Sequence, residues 1–273
     1  MGDVVGFIGA GQLGEPMVTR LLQAGHEVVV YVRRPEVRDR LANRGAQLVN
    51  GVKGLAEASD VIVSCLFSDA QLRELALGPG GFVSNAKPDA VFVSHTTGTL
   101  ATLTDLAASS ATAPVFLDAP VSGTAEHIQR GELTVLIGGQ PAAVERVRPV
   151  LAAYADPILS TGELGSALAI KLINNLLFAA NAQLVVQAAE LGRQLGVEEQ
   201  SMLAALAVCS GGSNASSYVQ SAGGLHEFTE VVTPFLRKDV AACLSFAAAA
   251  DTELGLLGHV VSTGPIDLTQ ENG

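Results

Sequence analysis

Lys171 and Asn175 stand four residues apart in an alanine- and leucine-rich run, so a helix would carry both on one face, with Asn174 beside them. An ammonium group and two amides are expensive to bury on an otherwise apolar helix. Burial would push a lysine pKa down toward neutrality, which is what a proton donor to a carbonyl oxygen requires. Taken alone, the helix reads more plainly: the lysine snorkels or pairs with a distant carboxylate, and the asparagines cap or bridge helices. A second segment shifts that balance. It runs from Asp118 through Ala119, Pro120 and Val121 to Ser122, Gly123 and Thr124. There a serine hydroxyl and adjacent backbone N–H groups can bind a carboxylate. The segment follows a predicted strand, at the end where open α/β sheets bind ligands.

The N-terminus supplies a place for a dinucleotide. An apolar run over residues 4–8 breaks into Gly9, Ala10, Gly11, Gln12, Leu13 and Gly14 and opens a helix with Pro16 in its first turn. Gly9 permits the tight turn, Gly11 lets the backbone approach a pyrophosphate, and Gly14 allows close packing of helix on strand. The helix N-terminus then faces the phosphates. A glycine-rich turn without a ligand is the plain alternative, but the flanking strand and helix signals favour the dinucleotide. After the second predicted strand (residues 26–32) an NAD site usually places a carboxylate for the ribose 2′-hydroxyl. Arg33 and Arg34 stand there instead. Planar guanidinium groups match the 2′-phosphate of NADP, so NADP(H) is the expected cofactor, with NAD(H) admitted as a weaker one.

These groups must be positioned by a sizeable fold. The chain has 273 residues, of which 48% are hydrophobic, enough for one large or two moderate domains. Short apolar segments at 47–49, 61–66, 91–94, 115–119, 133–138 and 157–159 alternate with helical stretches, which predicts an α/β fold with a doubly wound, mostly parallel sheet. From residue 162 onward the strands stop and helical runs take over at 165–195, 198–209 and 235–251. The expected domains are therefore 1–161, dinucleotide-binding, and 162–273, all-helical. The first of these helices is apolar nearly all round, so it is expected to be buried in its domain or against a second subunit. A net charge of −11, from 16 basic and 27 acidic side chains, speaks against nucleic acid and anionic membrane surfaces as partners. Lys171, Asn174, Asn175, Asn181 and Gln183 interrupt the most apolar stretch, so no membrane span is expected. Cys65, Cys209 and Cys243 are too dispersed for a metal motif or a disulfide framework, and the five histidines show no ligand spacing and read as surface or core polar residues. The expectation is a cytoplasmic protein without a metal.

Together these motifs resemble the β-hydroxyacid dehydrogenases. The resemblance is carried by the glycine turn running into Pro16 and Met17, residues 118–123, Gly131-Glu132-Leu133, Gly138-Gly139, Gly162-Glu163-Leu164-Gly165, the Lys-Leu-Ile-Asn-Asn run from Lys171, and Lys238-Asp239, in order over nearly the whole chain. It implies a Rossmann domain and an all-helical C-terminal domain joined by a long helix, in homodimers or homotetramers. It further implies Lys171 as general acid in reduction and general base in oxidation, Asn175 as the amide that positions a small carboxylate substrate, and Ser122 and Gly123 as its carboxylate site. Lys238 and Thr96 would lie near the nicotinamide end, and Arg33 would be the arginine of NADP-preferring members. The implied reaction is hydride transfer between a small 3-hydroxy acid and its semialdehyde or 3-oxo acid. Thr124 stands where relatives often carry a second glycine and Ser94 where they often carry aspartate, which bears on substrate rather than class. The length argues against a full 6-phosphogluconate dehydrogenase. An imine or ketone reductase on this scaffold and a non-catalytic binding module are the alternatives. Imine reductases usually carry Asp or Tyr in place of the lysine, and a non-catalytic member would be expected to lose it.

Overall fold

The computed structural model describes residues 2–269. Among these residues nine strands form one sheet: β1 (Val5–Ile8), β2 (Val28–Tyr31), β3 (Gln47–Val49), β4 (Val61–Ser64), β5 (Val91–Ser94), β6 (Val115–Asp118), β7 (Val121–Ser122), β8 (Leu133–Gly138) and β9 (Ala155–Gly162). Their order is β3-β2-β1-β4-β5-β6-β8-β7, with β9 on the other flank of β8. The first six run parallel, β8 is antiparallel to β6 and β7, and β9 is parallel to β8. The mostly parallel α/β sheet is thus as expected, with a mixed edge that the apolar runs could not specify.

Strands β1, β4 and β5 are buried at every position, which is why they read as unbroken apolar runs: helices cover both faces. Alternate residues feed two cores. Val5, Phe7, Val63, Val93 and Leu117 join one, and Ile8, Ile62, Phe92 and Phe116 the other. Helices α1 (Gly14–Gln23), α2 (Pro35–Ala42), α3 (Val52–Ala58), α4 (Asp69–Ala76), α5 (Leu100–Ala108), α6 (Ala125–Arg130) and α7 (Pro141–Leu151) supply the outer layers. Apolar positions on them, such as Met17, Val18 and Leu21 on α1 or Leu103 and Leu106 on α5, recur at helical spacing and are buried.

After β9 the chain enters α8 (Ser166–Gln194), then α9 (Glu199–Val208), α10 (Asn214–Ala222), α11 (Leu225–Ala249) and α12 (Gly255–Thr263). The contacts divide the chain into two compact units after Lys171, one and a half turns into α8, rather than at the turn before it. In the second unit Leu172, Leu176, Ala179 and Val185 of α8 pack with Leu203, Val219, Phe228 and Val240. By length and composition α8 could cross a membrane. Its buried face serves as a core, however, and its buried Gln183 is fully engaged. The Gln183 amide donates to the carbonyls of Val261 (3.2 Å) and Ile266 (2.7 Å) and accepts the Ile266 N–H at 2.7 Å. Such an amide is a cross-brace that lipid could not provide.

The start of α8 is fixed in the first unit by Asp118, the last residue of β6. Its buried carboxylate accepts the N–H groups of Gly165 and Leu168, both at 2.8 Å. These are donors that a helix N-terminus leaves unmatched. Gly165 has φ +95°, a conformation open to glycine, and an added Cβ there would press on the Leu100 side chain at 2.8 Å.

Candidate active site

The chain runs from β1 through β2 to β3 on one side of the sheet and then crosses to β4 on the other, so the carboxyl ends of β1 and β4 bound a crevice. A cleft of about 500 Å³ opens there, lined by residues 8–14, 31–34 and 65–67 with Gln71 and Leu75. Gly9, Ala10, Gly11, Gln12, Leu13, Gly14, Arg33 and Arg34 are thereby brought together. The three glycines differ in what they answer to. A Cβ on Gly9, whose φ is +94°, would strike the Cys65 carbonyl, and one on Gly14 would strike the Gly9 carbonyl, so both are demanded by the protein itself. A Cβ on Gly11 would meet nothing within 4 Å. The space above Gly11 is therefore the cradle a pyrophosphate would fill, and the residues present fit that group.

The electrostatics of this rim are local. Glu15, in the first turn of α1, would repel a phosphate, but Arg40 grips it with two bonds of 2.7 Å. The Arg40 hydrogen bonds hold the Glu15 carboxyl below the usual range despite partial burial. The two arginines after β2 part company. Arg34 turns its guanidinium back to the Ala10 carbonyl (3.2 Å) and lies 4.0 Å from Glu36. Arg33 is exposed on the cleft rim and, among the described residues, makes no hydrogen bond to the protein. Among the described residues, no carboxylate lines this cleft.

The remaining expected residues fall on two groups of elements. Ser122 closes β7 and Gly123 follows it, both exposed. β7 pairs with β8 through Val121↔Val135 and Ser122↔Thr134, so the expected carboxylate loop is held as a short strand at the sheet edge. Thr96, two residues beyond β5, is buried, and its hydroxyl has no protein partner among the described residues. Thr96 is therefore not on the open surface of the cleft, and its orphaned Oγ1 leaves room for a bond to a ligand. On α8 Lys171 is half-buried, Asn174 exposed and Asn175 buried, with Asn174 Nδ2 donating to Asn175 Oδ1 at 3.3 Å. Lys238 is exposed on α11, in the second unit.

Two features lay beyond sequence reasoning. Asp118 lies in a motif singled out above, but its grip on residues 165 and 168 is a long-range contact. His95 is a core residue whose Nδ1 meets the Ala119 carbonyl and whose Nε2 lies 2.8 Å from the Tyr154 hydroxyl. Burial pushes the Asp118 carboxyl up, against the bonds from Gly165 and Leu168 that favour its charge. Burial likewise pushes the Cys65 thiol up to about 12, so it stays protonated in the cleft wall.

A glycine cradle at the switch point of a parallel sheet, rimmed by arginine, defines a dinucleotide-binding domain. Comparison with known proteins agrees. Residues 4–167 match the family described as the NAD-binding domain of 6-phosphogluconate dehydrogenase, and residues 165–263 match the NAD-binding family of NADP-dependent 3-hydroxyisobutyrate dehydrogenase. The 2-(hydroxymethyl)glutarate dehydrogenase of Eubacterium barkeri is 31% identical over 212 residues, 77% of this chain and 70% of the relative. Among solved structures, 3-hydroxyisobutyrate dehydrogenase of Mycobacterium tuberculosis with L-serine aligns with a TM-score of 0.82 at 23% identity, covering 98% of this chain and 97% of that one. An imine reductase variant from Myxococcus stipitatus with NAD+ aligns with a TM-score of 0.70 at 20% identity, covering 96% and 92%. The chain belongs to the β-hydroxyacid dehydrogenase family of NAD(P)-dependent oxidoreductases.

His95 makes stability depend on pH. Burial lowers its pKa from the ordinary 6.5 to about 4, so below pH 6.5 the unfolded chain takes up a proton that the folded protein refuses. The stabilisation is whole above pH 6.5 and is lost as pH falls toward 4. Between pH 7.5 and pH 5 the protein should lose roughly 2 kcal/mol more than a His95→Asn variant, read by urea unfolding. Equal losses in the two proteins would contradict this.

Proposed function

We propose that this chain is an NADP-preferring oxidoreductase that interconverts a small 3-hydroxy acid and its semialdehyde, with Lys171 as the proton donor and acceptor. One observation carries most of the proposal. The strand that leads into Ser122 and Gly123 ends on Asp118, and the Asp118 carboxylate holds the first turn of the helix that bears Lys171. The amine and the carboxylate-binding donors thus hang from one rigid junction. When bound, the nicotinamide cofactor supplies or accepts a hydride.

The chain's own residues do the rest. The Ser122 hydroxyl and the neighbouring N–H groups hold the substrate carboxylate, which fixes the distance from that end to the reacting carbon. The Lys171 Nζ gives its proton to the carbonyl oxygen in reduction and takes the hydroxyl proton in oxidation. Asn175, one turn further along α8, orients the same oxygen by hydrogen bonding. L-serine, named with the M. tuberculosis structure, is itself a 3-hydroxy acid and supports this substrate class. The exposed Arg33 guanidinium and the absence of a carboxylate among the cleft-lining residues support NADP(H).

The apolar face of α8 supports a homodimer. Ile170, Ile173, Leu177, Leu184 and Leu191 stay exposed on it, a stripe repeating at helical intervals such as a helix pairing with its copy would present.

Lys171→Ala should bind NADPH as the parent does, while kcat falls about 10²- to 10⁴-fold, the range of general acid–base catalysis. Near-parental turnover would end the assigned role, and turnover of cyclic imines without 3-hydroxy acids would replace the substrate class. Arg33→Ala should raise the KM for NADPH about 10- to 100-fold and leave that for NADH nearly unchanged. A parallel rise for both cofactors would refute the phosphate contact. In light scattering the protein should have at least twice the mass of the 28.0 kDa chain, and Leu177→Asp should shift it toward monomer. A monomeric parent would remove the interface.

A further inference from the structure

A buried polar chain at the carboxyl edge of the sheet is used neither by the cofactor cleft nor by the proton transfer. It joins Tyr154, His95 and Ala119. A carbonyl can only accept, so the proton of His95 sits on Nδ1, facing the Ala119 oxygen. Nε2 is then a lone pair, and the Tyr154 hydroxyl donates to it at 2.8 Å. The two rings meet edge to face, centroids 5.8 Å apart and planes at 84°. Burial keeps the imidazole neutral and the Tyr154 phenol protonated. Both ring nitrogens are occupied, so His95 has no position left from which to exchange a proton with a ligand. The chain is a strut.

What it braces follows from the neighbours of Ala119. The Ala119 N–H donates to the Ser94 carbonyl at 2.7 Å, so β5 already grips this residue from one side. That bond holds the peptide ahead of Ala119, and beyond it the Leu136 N–H holds the Pro120 carbonyl at 3.1 Å; the peptide between them carries the Ala119 carbonyl and, because Pro120 follows, has no N–H. The imidazole takes that carbonyl, the one hydrogen-bonding group this peptide has, and Tyr154, just ahead of β9, stops the imidazole from turning. Ala119 lies between Asp118, which anchors α8, and the turn that leads to Ser122. The orphaned hydroxyl of Thr96 belongs to the residue next to His95.

We propose that His95, braced by Tyr154, is a positioning residue that fixes the Ser122–Gly123 loop relative to the Asp118-anchored start of α8. It would thereby set the distance of the substrate carboxylate from the Lys171 amine, which presupposes the carboxylate site proposed above. His95 touches neither substrate nor cofactor. Its effect is on binding geometry for carboxylates, and cofactor affinity is left alone.

Three variants separate the links. Tyr154→Phe keeps the ring and removes only the donor, His95→Asn keeps an N–H placed as Nδ1–H, and His95→Leu removes both bonds. Amide hydrogen exchange over residues 121–124 is read in the ligand-free protein. The KM of a 3-hydroxy acid is compared with that of an alcohol of equal length lacking the carboxylate, and the NADPH Kd is read by calorimetry. Tyr154→Phe and His95→Leu should speed exchange at 121–124 and raise the carboxylate KM about tenfold, a change of one hydrogen bond's worth. His95→Asn should fall between them and the parent, while the NADPH Kd and the KM of the uncharged alcohol stay within about twofold.

A folded Tyr154→Phe protein with parental exchange and parental carboxylate KM overturns the strut even if His95→Leu fails to fold. So does a rise in KM shared equally by both substrates. Ser122→Ala, measured beside them, separates the two ideas. If it raises the carboxylate KM while the strut variants do not, the strut alone is wrong. If it leaves that KM unchanged, the carboxylate site is wrong and the strut proposal falls with it.

Discussion

The bond between the Asp118 carboxylate and the first turn of α8 is the constraint on which the rest depends. An anion out of water is costly, and burial does push this carboxyl up. The two N–H groups it accepts, from Gly165 and Leu168, have no other acceptor within a helix, and the positive end of the helix dipole faces it. Leaving those donors unmatched in the interior would cost about 1–3 kcal/mol each. The burial of one charge therefore fixes a helix of 29 residues to the end of a strand. The stretch of α8 that leads to Lys171 inherits its place from that end.

The glycine turn works by the same economy of means. Gly9 and Gly14 are small because the backbone of Cys65 and of Gly9 itself lies against them, whereas Gly11 is small with nothing beside it. The contrast separates a residue required by packing from one left clear for a ligand. The surrounding charge is arranged to match. In a chain of net charge −11, Glu15 is neutralised by Arg40 and Arg33 is left to face the cleft.

How much of this could be read in advance depended on the range of the interaction. The parallel strands were legible because burial on both faces makes them continuous apolar runs, and the glycine turn because its demands lie within a dozen residues. The helical second half was legible as a whole. Its α10 was not, since Asn214, Ser216 and Ser217 resemble a loop and are instead organised by the Ser213 cap. Strand β7 has two residues, too few to show a period. The parting of Arg33 from Arg34 turns on one contact with Ala10. The partnership of His95 with Tyr154 spans 59 positions and that of Asp118 with Leu168 spans 50, distances over which no local pattern speaks. That this histidine is a core polar residue was among the readings the sequence allowed, but its partners were not.

The brace at Gln183 carries a consequence for how the helical unit is made. Its three bonds reach forward to Val261 and Ile266, so the amide near the middle of α8 stays unmatched until a stretch some eighty residues later arrives. During synthesis the nucleotide-binding half can close while the ribosome is still working. The second half keeps an incomplete apolar core until α12 and the residues after it are made, because Val261, Ile266 and Leu268 belong to that core.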